Sequence, residues 1–173
     1  MGQYYKPVSI DKMECVYSHD YGSGLKLMEH SWSKNDFVGV VARLIARGGR
    51  WFGDKIVWAG DYADPEEGTE ENFYHMAGEN KIKPEIIKGK KRLRYVVNLD
   101  TKQFVDINNV PDNDGWVIHP LPLLTCEGNG RGGGDFRDND PNKLIGKWAR
   151  NRVTMQTTEP KGYKELVFNL FEK

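Results

Sequence analysis

The stretch Asn35-Asp36-Phe37-Val38-Gly39-Val40-Val41-Ala42-Arg43-Leu44-Ile45-Ala46 carries the clearest secondary-structure pattern in the chain. Its larger apolar residues fall at the i, i+3, i+4, i+7 and i+8 spacing of one helix face; they are Phe37, Val40, Val41, Leu44 and Ile45. Ser33 or Asn35 can cap the start, and Arg47-Gly48-Gly49 supplies a cationic last turn and a left-handed stop. The pattern predicts one main helix, over about residues 35–46, lying on a sheet.

A β-hairpin is the second clear pattern. Residues 92–97 and 103–107 are rich in strand-forming residues, and they flank the turn-forming residues 98–102. Shorter elements are expected on either side, namely strands at residues 24–29, 55–58 and 116–118 and a brief helix within residues 69–74.

Prolines and β-branched residues decide the expectations for the later segments. His119-Pro120-Leu121-Pro122 predicts an extended, non-helical path, because each proline fixes its φ angle and lacks an amide donor. The end of the chain fits either a helical stripe over residues 163–171 or a hairpin of residues 152–156 with residues 164–171. Its β-branched and aromatic residues favour the hairpin.

The length of 173 residues suits one hydrophobic core, and no Ser/Pro-rich or single-charge run separates the halves. Apolar residues make up only 38% of the chain, so the core depends on five tryptophans and eight tyrosines. We therefore predict a single β-rich α+β domain over residues 1–173, with a mostly antiparallel sheet and the 35–46 helix packed on it.

The charges balance, with 25 Lys and Arg against 25 Asp and Glu. Such a chain has no net field to attract duplex nucleic acid or an anionic membrane, although residues 81–94 are locally basic and residues 54–71 locally acidic. No apolar run approaches the ~20 residues of a membrane helix, and no signal-peptide core is present. Cys15 and Cys126 lack CxxC spacing and are expected to be reduced thiols. We expect a cytoplasmic protein.

A short self-similarity links two parts of the chain. Residues 49–56 align without gaps to residues 146–153, and both share a glycine, a cation, a tryptophan, an Asp or Asn, a second cation and a β-branched residue. In each copy we expect a buried tryptophan, Trp51 or Trp148, followed by a tight turn at the fifth and sixth positions and then by a strand.

A second echo pairs residues 59–64 with residues 133–138, since both contain Gly-Asp-aromatic followed by another Asp. Two interpretations are open. The segments can be turns in which Asp caps the backbone, or loops whose amides and carboxylates face one ligand.

Residues 128–134 hold five glycines in seven positions. Glycines cost conformational entropy, and close approach of the backbone to another molecule would explain them, whereas a surface turn is the alternative. Successive amides there can bind an anion, and Arg131 can add a bidentate contact. The GxGxxG spacing of residues 128–133 does not indicate a dinucleotide site, because residues 135–141 cannot begin a helix. No cofactor is expected.

Four groups of residues together resemble a known family: Met-Gly-Gln-Tyr-Tyr-Lys-Pro at residues 1–7, residues 23–29, Gly49-Arg50-Trp51 with Gly60-Asp61-Tyr62, and His119-Pro120-Leu121 with the Gly-Arg-Gly-Gly-Gly-Asp loop at residues 130–135. The chain is similar, over nearly its whole length, to proteins of phages, prophages and bacterial genomes that carry no assigned activity. The resemblance implies a phage accessory protein, and many of these counter host defences by binding an effector or sequestering a nucleotide signal.

The leading hypothesis is a non-catalytic binder that antagonises a host defence pathway and holds a small phosphorylated or nucleotide-like ligand. Its ligand-binding residues supply donors for phosphate and planes for a base; they are Arg131, Gly132, Gly133, Asp135, Phe136, Asp61, Tyr62, Lys26, His19 and Trp58. An oligomer is compatible with this hypothesis.

Two other classes of function are kept as alternatives. A small metal-assisted hydrolase or nuclease would use Asp61, Asp64, Asp135 and His19, although the histidines lack HxH and HExxH spacing and no metal site is predicted. A protein-interaction module would inhibit a host effector through exposed aromatic residues and would need no small pocket.

Overall fold

The computed structural model describes residues 3–128, 140 and 142–170, and this part of the chain contains nine strands in two sheets. The first sheet comprises β1 Tyr5–Ser9, β2 Glu14–Val16, β3 Ile56–Gly60, β4 Lys81–Ile82 and β7 Cys126–Glu127. The second comprises β5 Tyr95–Asn98, β6 Gln103–Asp106, β8 Val153–Gln156 and β9 Lys164–Glu165. Their strand orders are β4-β2-β1-β3-β7 and β8-β5-β6-β9.

Both sheets are mixed. In the first, β1 is antiparallel to β2 and β3, whereas β2 pairs in parallel with β4 and β3 with β7. In the second, β5 is antiparallel to β6 and β8, and β6 is parallel to β9. The α+β class is confirmed, and four of the seven strand pairs among the described residues are antiparallel, as expected. The strands form two sheets instead of one, and strands distant in sequence add three short parallel pairs.

The main helix, α2 (Asp36–Ile45), lies where the apolar stripe predicts it. The Asn35 side chain caps its start by accepting a 2.8 Å hydrogen bond from the Phe37 amide. The buried Phe37 ring lies 5.7 Å from the ring of Trp58 in β3, and Thr154 of β8 donates a 2.6 Å hydrogen bond to the last carbonyl of the helix. The helix therefore contacts both sheets.

Three short α-helices lie in the described part of the chain: α1 Leu27–His30, α3 Phe73–Met76 and α4 Pro120–Thr125. Three 3-10 helices accompany them, at Ser18–Tyr21, Ala77–Asn80 and Ile107–Asn109. The strand predicted at residues 24–29 is wrong, since α1 occupies its second half. The Lys26 amide donates a 3.0 Å hydrogen bond to Glu29 Oε1, which closes the first turn of α1. This local capping outweighs a short alternation of apolar and polar residues.

The extended path predicted for residues 119–122 is also wrong. His119 caps α4, because its Nδ1 accepts a 3.1 Å hydrogen bond from the Leu121 amide. Pro120 and Pro122 occupy the first turn, where a helix needs no amide donors and a fixed φ suits the helical backbone. The two prolines therefore begin a helix here.

The central hairpin is confirmed, with Tyr95 opposite Asp106 and Asn98 opposite Gln103. Both strands of the predicted C-terminal hairpin are present, as β8 and β9, but they do not pair with each other. β8 pairs with β5 and β9 with β6, so the central hairpin lies between them. Residues 116–118 form isolated bridges rather than a strand, one of which joins Ile118 to Trp32.

The similar segments 49–56 and 146–153 also have similar structures, so they form a structural repeat. Trp51 and Trp148 are both fully buried, and the backbone is left-handed at the aligned positions that follow them, with φ of +84° at Gly53 and +70° at Arg150. β3 begins at residue 56 and β8 at residue 153, which are aligned as well. The expected order of buried tryptophan, tight turn and strand is confirmed in both copies.

One hydrophobic cluster contains side chains of α2, α4 and both sheets, including the buried Val41, Trp58, Val96 and Leu123. Two smaller apolar clusters use other residues of the strands, Val8 and Val57 in the first sheet and Tyr95 and Phe104 in the second. None of the helices within residues 3–128 and 142–170 has the length and the apolar composition that crossing a bilayer requires.

Candidate functional site

One end of the first sheet brings the Gly-Asp loop next to the start of the glycine-rich segment. β3 and β7 run in parallel with Ala59 opposite Glu127, so Gly60 and Gly128 leave the sheet side by side. Tyr5 of β1 pairs with Gly60 at the same end. Ligands commonly bind outside the carboxyl ends of parallel strands. We term this end of the sheet the loop edge, which consists of residues 3–5, 25–26, 60–66 and 127–128.

Gly60 is a point of close contact at the loop edge. A Cβ atom at this position would lie 2.8 Å from Gln3 Oε1, 3.0 Å from Tyr5 Cε1 and 3.1 Å from the Glu127 carbonyl oxygen. The Gln3 side chain is buried, and its Oε1 has no hydrogen-bond partner in the part of the chain that the structure describes. An acceptor left without a donor is costly, and Gly60 is the residue that leaves room for this side chain.

Asp61 and Tyr62 differ in what they offer to a ligand. The Asp61 carboxylate accepts a 2.9 Å hydrogen bond from the Tyr4 amide, and the Asp61 amide donates one of 2.9 Å to the Tyr4 carbonyl. Asn72 Nδ2 fixes the loop further by donating to the carbonyls of Asp61 at 3.0 Å and Ala63 at 2.9 Å. Asp61 therefore holds the loop in place, whereas Tyr62 is 49% exposed and leaves a ring available for stacking.

A cavity of about 430 Å³ opens at the loop edge. Its lining includes Asp64, Glu66, Glu127, Gly128 and Arg150. The volume lies in the range of small-ligand pockets. Three carboxylates against one guanidinium make the described part of this wall acidic. The exposed Asp64 carboxylate has no hydrogen-bond or ion-pair partner among residues 3–128, 140 and 142–170.

Arg150 connects the Gly-Asp loop to β7 across this cavity. Its guanidinium donates to both carboxylate oxygens of Glu66, at 2.7 and 2.8 Å, and to both oxygens of Glu127. The hydrogen bonds to Glu127, followed by those to Glu66, raise the pKa of Arg150. The Phe73 ring lies 4.9 Å from the guanidinium carbon. We term Glu66, Glu127 and Arg150 the arginine clamp, because they tie the Gly-Asp loop to β7.

Lys26 and His19 lie at the same end of the first sheet. The Leu25 carbonyl accepts a 2.9 Å hydrogen bond from the Tyr5 amide, which keeps Lys26 beside β1. His19 follows β2 in the 3-10 helix Ser18–Tyr21, and its side chain is exposed. Because β2 is antiparallel to β1, it ends where β1 begins. His19 therefore leaves the sheet on the side of β1 opposite to the Gly-Asp loop.

Trp58 offers no ring face to a ligand, so the prediction that it contacts the ligand is wrong. Its side chain is fully buried, and its Nε1 donates a 3.0 Å hydrogen bond to His30 Nε2. His30 Nδ1 lies 2.9 Å from the Gly24 carbonyl oxygen, which assigns the imidazole proton to Nδ1. Burial lowers the pKa of His30 to about 4, so the ring is neutral and acts as the acceptor of Trp58. The pair belongs to the core.

The remaining predicted ligand contacts lie outside the described residues; they are Arg131, Gly132, Gly133, Asp135 and Phe136. Their role stays a prediction. Within residues 3–128, 140 and 142–170, no group of three or more His, Cys, Asp or Glu side chains is placed to hold a metal ion. Of the carboxylates of the hydrolase hypothesis, Asp61 is bonded to Tyr4 and Asp64 lines the loop-edge cavity.

Sequence reasoning missed Gln3 and the arginine clamp. Glu66 and Arg150 are 84 positions apart, so no local pattern could associate them. One signal was present, since Arg150 stands where the other repeat copy has Gly53, a substitution that is unfavourable at a left-handed turn. No family model, curated protein or solved structure matches this chain.

Proposed function

We propose that the protein is a non-catalytic binder from a phage or mobile element, acting in the cytoplasm of its bacterial host, where it antagonises a defence pathway. It holds a small phosphorylated or nucleotide-like ligand at the loop edge. The observation that carries this proposal is that the Gly-Asp loop and the first residue of the glycine-rich segment leave neighbouring parallel strands and line one cavity of about 430 Å³.

The charges of the described wall favour the base of such a ligand over its phosphate. The Asp64 carboxylate lines this cavity and is an acceptor without a donor among the described residues, and the N–H groups of a nucleobase are donors. The exposed Tyr62 ring supplies a stacking surface. A phosphate, repelled by the carboxylates of the wall, is instead assigned to the main-chain amides of residues 128–134 and to Arg131.

Calorimetric titration of the pure protein with mononucleotides, cyclic nucleotides and cyclic dinucleotides tests the proposal. We expect one nucleotide class to bind and to be recovered unmodified by mass spectrometry. Asp64→Asn, Tyr62→Ala and Arg131→Ala should each weaken binding about tenfold, which corresponds to ~1.4 kcal/mol. Lys161→Ala, an exposed substitution in the turn before β9, is the control and should bind as the wild type does.

Two results would contradict the proposal. One is the absence of binding to every nucleotide in the panel, and the other is equal binding by the wild type and all three loop-edge variants. A cleaved nucleotide that depends on added Mg²⁺ or Mn²⁺ would instead support the hydrolase alternative. That activity should then be abolished in Asp64→Asn rather than weakened.

A further inference from the structure

A second surface is a groove that begins beside the N-terminus of α2. Its larger cavity, of about 630 Å³, is lined by Trp32, Trp116 and Val110 among others, and its smaller cavity, of about 260 Å³, lies between α2 and residues 86–93. The two cavities share the wall residues Ser33, Lys34, Arg92 and Ile107. We term the two cavities together the α2 groove. Among the described residues, none lines both this groove and the loop-edge cavity.

Each end of the α2 groove exposes large apolar side chains. Trp32 is 40% exposed at one end, and its position is fixed because its Nε1 donates a 3.2 Å hydrogen bond to the Glu29 carbonyl. The Ser33 amide, next in the chain, donates one of 2.8 Å to the Val117 carbonyl. Ile86 and Ile87 are 43% and 48% exposed at the other end. Adjacent exposed apolar side chains in a concave surface indicate a contact site.

The shared wall between the two ends is cationic. Lys34 is exposed and has no hydrogen-bond or ion-pair partner within the described part of the chain. Arg92 donates a 2.7 Å hydrogen bond to the amide oxygen of Asn108, a neutral group, and it forms no ion pair with any residue that the structure describes. Arg94, two residues later, shows the contrast, because it forms a bidentate ion pair with Asp106.

Other charged groups around the α2 groove leave it net positive. Arg43 lines the smaller cavity and donates a 2.8 Å hydrogen bond to the Lys91 carbonyl, which is again no carboxylate. The acids of the described lining are Asp36 at the start of α2 and Asp112, whose Oδ1 accepts a hydrogen bond from the Gly115 amide. The groove is therefore the place where the locally basic residues 81–94 meet exposed apolar side chains.

We propose that the α2 groove binds an extended acidic segment of a partner protein, with one or two Asp or Glu residues between two apolar residues. The carboxylate pairs with Lys34 and Arg92 at the shared wall, and the apolar side chains contact Trp32 at one end and Ile86 and Ile87 at the other. The order of apolar, cationic and apolar surface supports this occupant. A mononucleotide has its ring at one end and its charge at the other, so it matches only half of the groove.

Selection of a random dodecapeptide display library on the immobilised full chain tests this interaction. We expect the enriched peptides to carry Asp or Glu flanked on both sides by apolar residues. Fluorescein-labelled copies of these peptides, measured by anisotropy, should bind about tenfold more weakly to Lys34→Glu, Arg92→Glu and Trp32→Ala. Lys161→Glu makes the same charge change at an exposed turn and should leave peptide binding unchanged.

Three results would overturn the proposal: no enrichment of acidic peptides, peptide binding unaffected by both charge reversals, or displacement of bound peptide by a mononucleotide. Thermal unfolding of each variant verifies that it is folded. Arg92→Gln, which removes the charge without reversing it, replaces Arg92→Glu if that variant unfolds, and the same loss of affinity is expected. Failure here leaves the loop-edge proposal untouched, because the two sites share no described residue.

Discussion

Lys55 and Arg152 occupy equivalent positions in the two copies of the internal repeat, and they pair with each other in an antiparallel bridge. Beside this bridge, the Ile56 amide donates a 2.9 Å hydrogen bond to the Asn151 carbonyl, and the Arg150 amide donates one of 2.8 Å to the Ile56 carbonyl. The two copies therefore contact each other directly at the start of their strands. The repeat thus joins the first sheet to the second, through β3 and β8.

The left-handed position of each repeat copy leads to a stability prediction. Gly53 adopts its positive φ without strain, whereas a left-handed Arg150 costs about 1–2 kcal/mol. Arg150→Gly removes both the arginine clamp and this strain, but Arg150→Ala removes the clamp alone. In urea unfolding we expect the Gly variant to be about 1 kcal/mol more stable than the Ala variant, and Gly53→Ala to be about 1 kcal/mol less stable than the wild type. Equal stability of the two Arg150 variants would show that the turn is unstrained.

The parts of the fold that could be predicted depend on neighbouring residues. α2 follows from a stripe and a cap within a dozen positions, and the central hairpin follows from two strand signals around a turn that Asn98 holds by accepting from the Asp100 and Thr101 amides. The parallel pairing of β3 with β7 could not be predicted, because more than sixty residues separate these strands. No local pattern indicates that two such distant strands are neighbours in the sheet. α4 was missed because Pro120 and Pro122 are breakers inside a helix but compatible with its first turn.

The residues of the candidate site were likewise predictable only where a local pattern places them. Asp61 and Tyr62 lie at the loop edge because a Gly-Asp loop after a strand reaches a sheet end, which the sequence pattern does indicate. Trp58 was assigned to the ligand by its aromatic character alone. All five residues of β3 are buried, and only the three-dimensional packing of α2 over this strand distinguishes such a ring from an exposed one.

Two buried histidines predict sensitivity to acid. Burial lowers the pKa of His30 to about 4 and that of His119 to about 3. Each neutral ring accepts a hydrogen bond, His30 from Trp58 Nε1 and His119 from the Leu121 amide, which a protonated ring cannot do. Unfolded histidines titrate near 6.5, so below that pH the unfolded state binds more protons than the folded state. The free energy of unfolding should fall as the pH falls from about 6.5 toward 4.

Denaturant unfolding between pH 6.5 and 5 measures this effect before the carboxylates titrate. Each buried histidine should contribute about 1 kcal/mol per pH unit, so His30→Gln should remove about half of the slope. His75→Gln replaces an exposed histidine of α3 and is the control for the exchange of a histidine for glutamine. A slope in His30→Gln equal to that of the wild type would contradict the neutral, buried His30.

The two thiols should be unreactive in the folded protein. Cys15 on β2 and Cys126 on β7 are both buried, and burial raises the pKa of each thiol. They are three strands apart in the first sheet, roughly 14 Å at the ~4.8 Å spacing of neighbouring strands, which is too far for a disulfide. We expect Ellman's reagent to label neither thiol in the native state and both in urea. Rapid labelling of the native protein would show that one of the strands opens.

Gly60 and Gly39 should respond to alanine with opposite signs. A Cβ atom at residue 60 would approach Gln3 Oε1 to 2.8 Å and the Glu127 carbonyl oxygen to 3.1 Å, and the latter belongs to the backbone of a neighbouring strand. Gly60→Ala should therefore cost about 1–3 kcal/mol and weaken ligand binding at the loop edge. Gly39 is exposed in α2 with no atom within 4 Å of the new Cβ, so Gly39→Ala should stabilise the protein by about 0.5–1 kcal/mol.

Urea unfolding of both glycine variants provides the measurement, and Gly39→Ala verifies that alanine as such is not harmful. The register of β3 against β7 places Gly60 and Gly128 together, and the same register brings the Glu127 carbonyl against Gly60. Stability and ligand binding are therefore expected to fall together in Gly60→Ala. If this variant is as stable as the wild type, the two strands are not held as closely as the loop edge requires, and the cavity there loses its support as the ligand site.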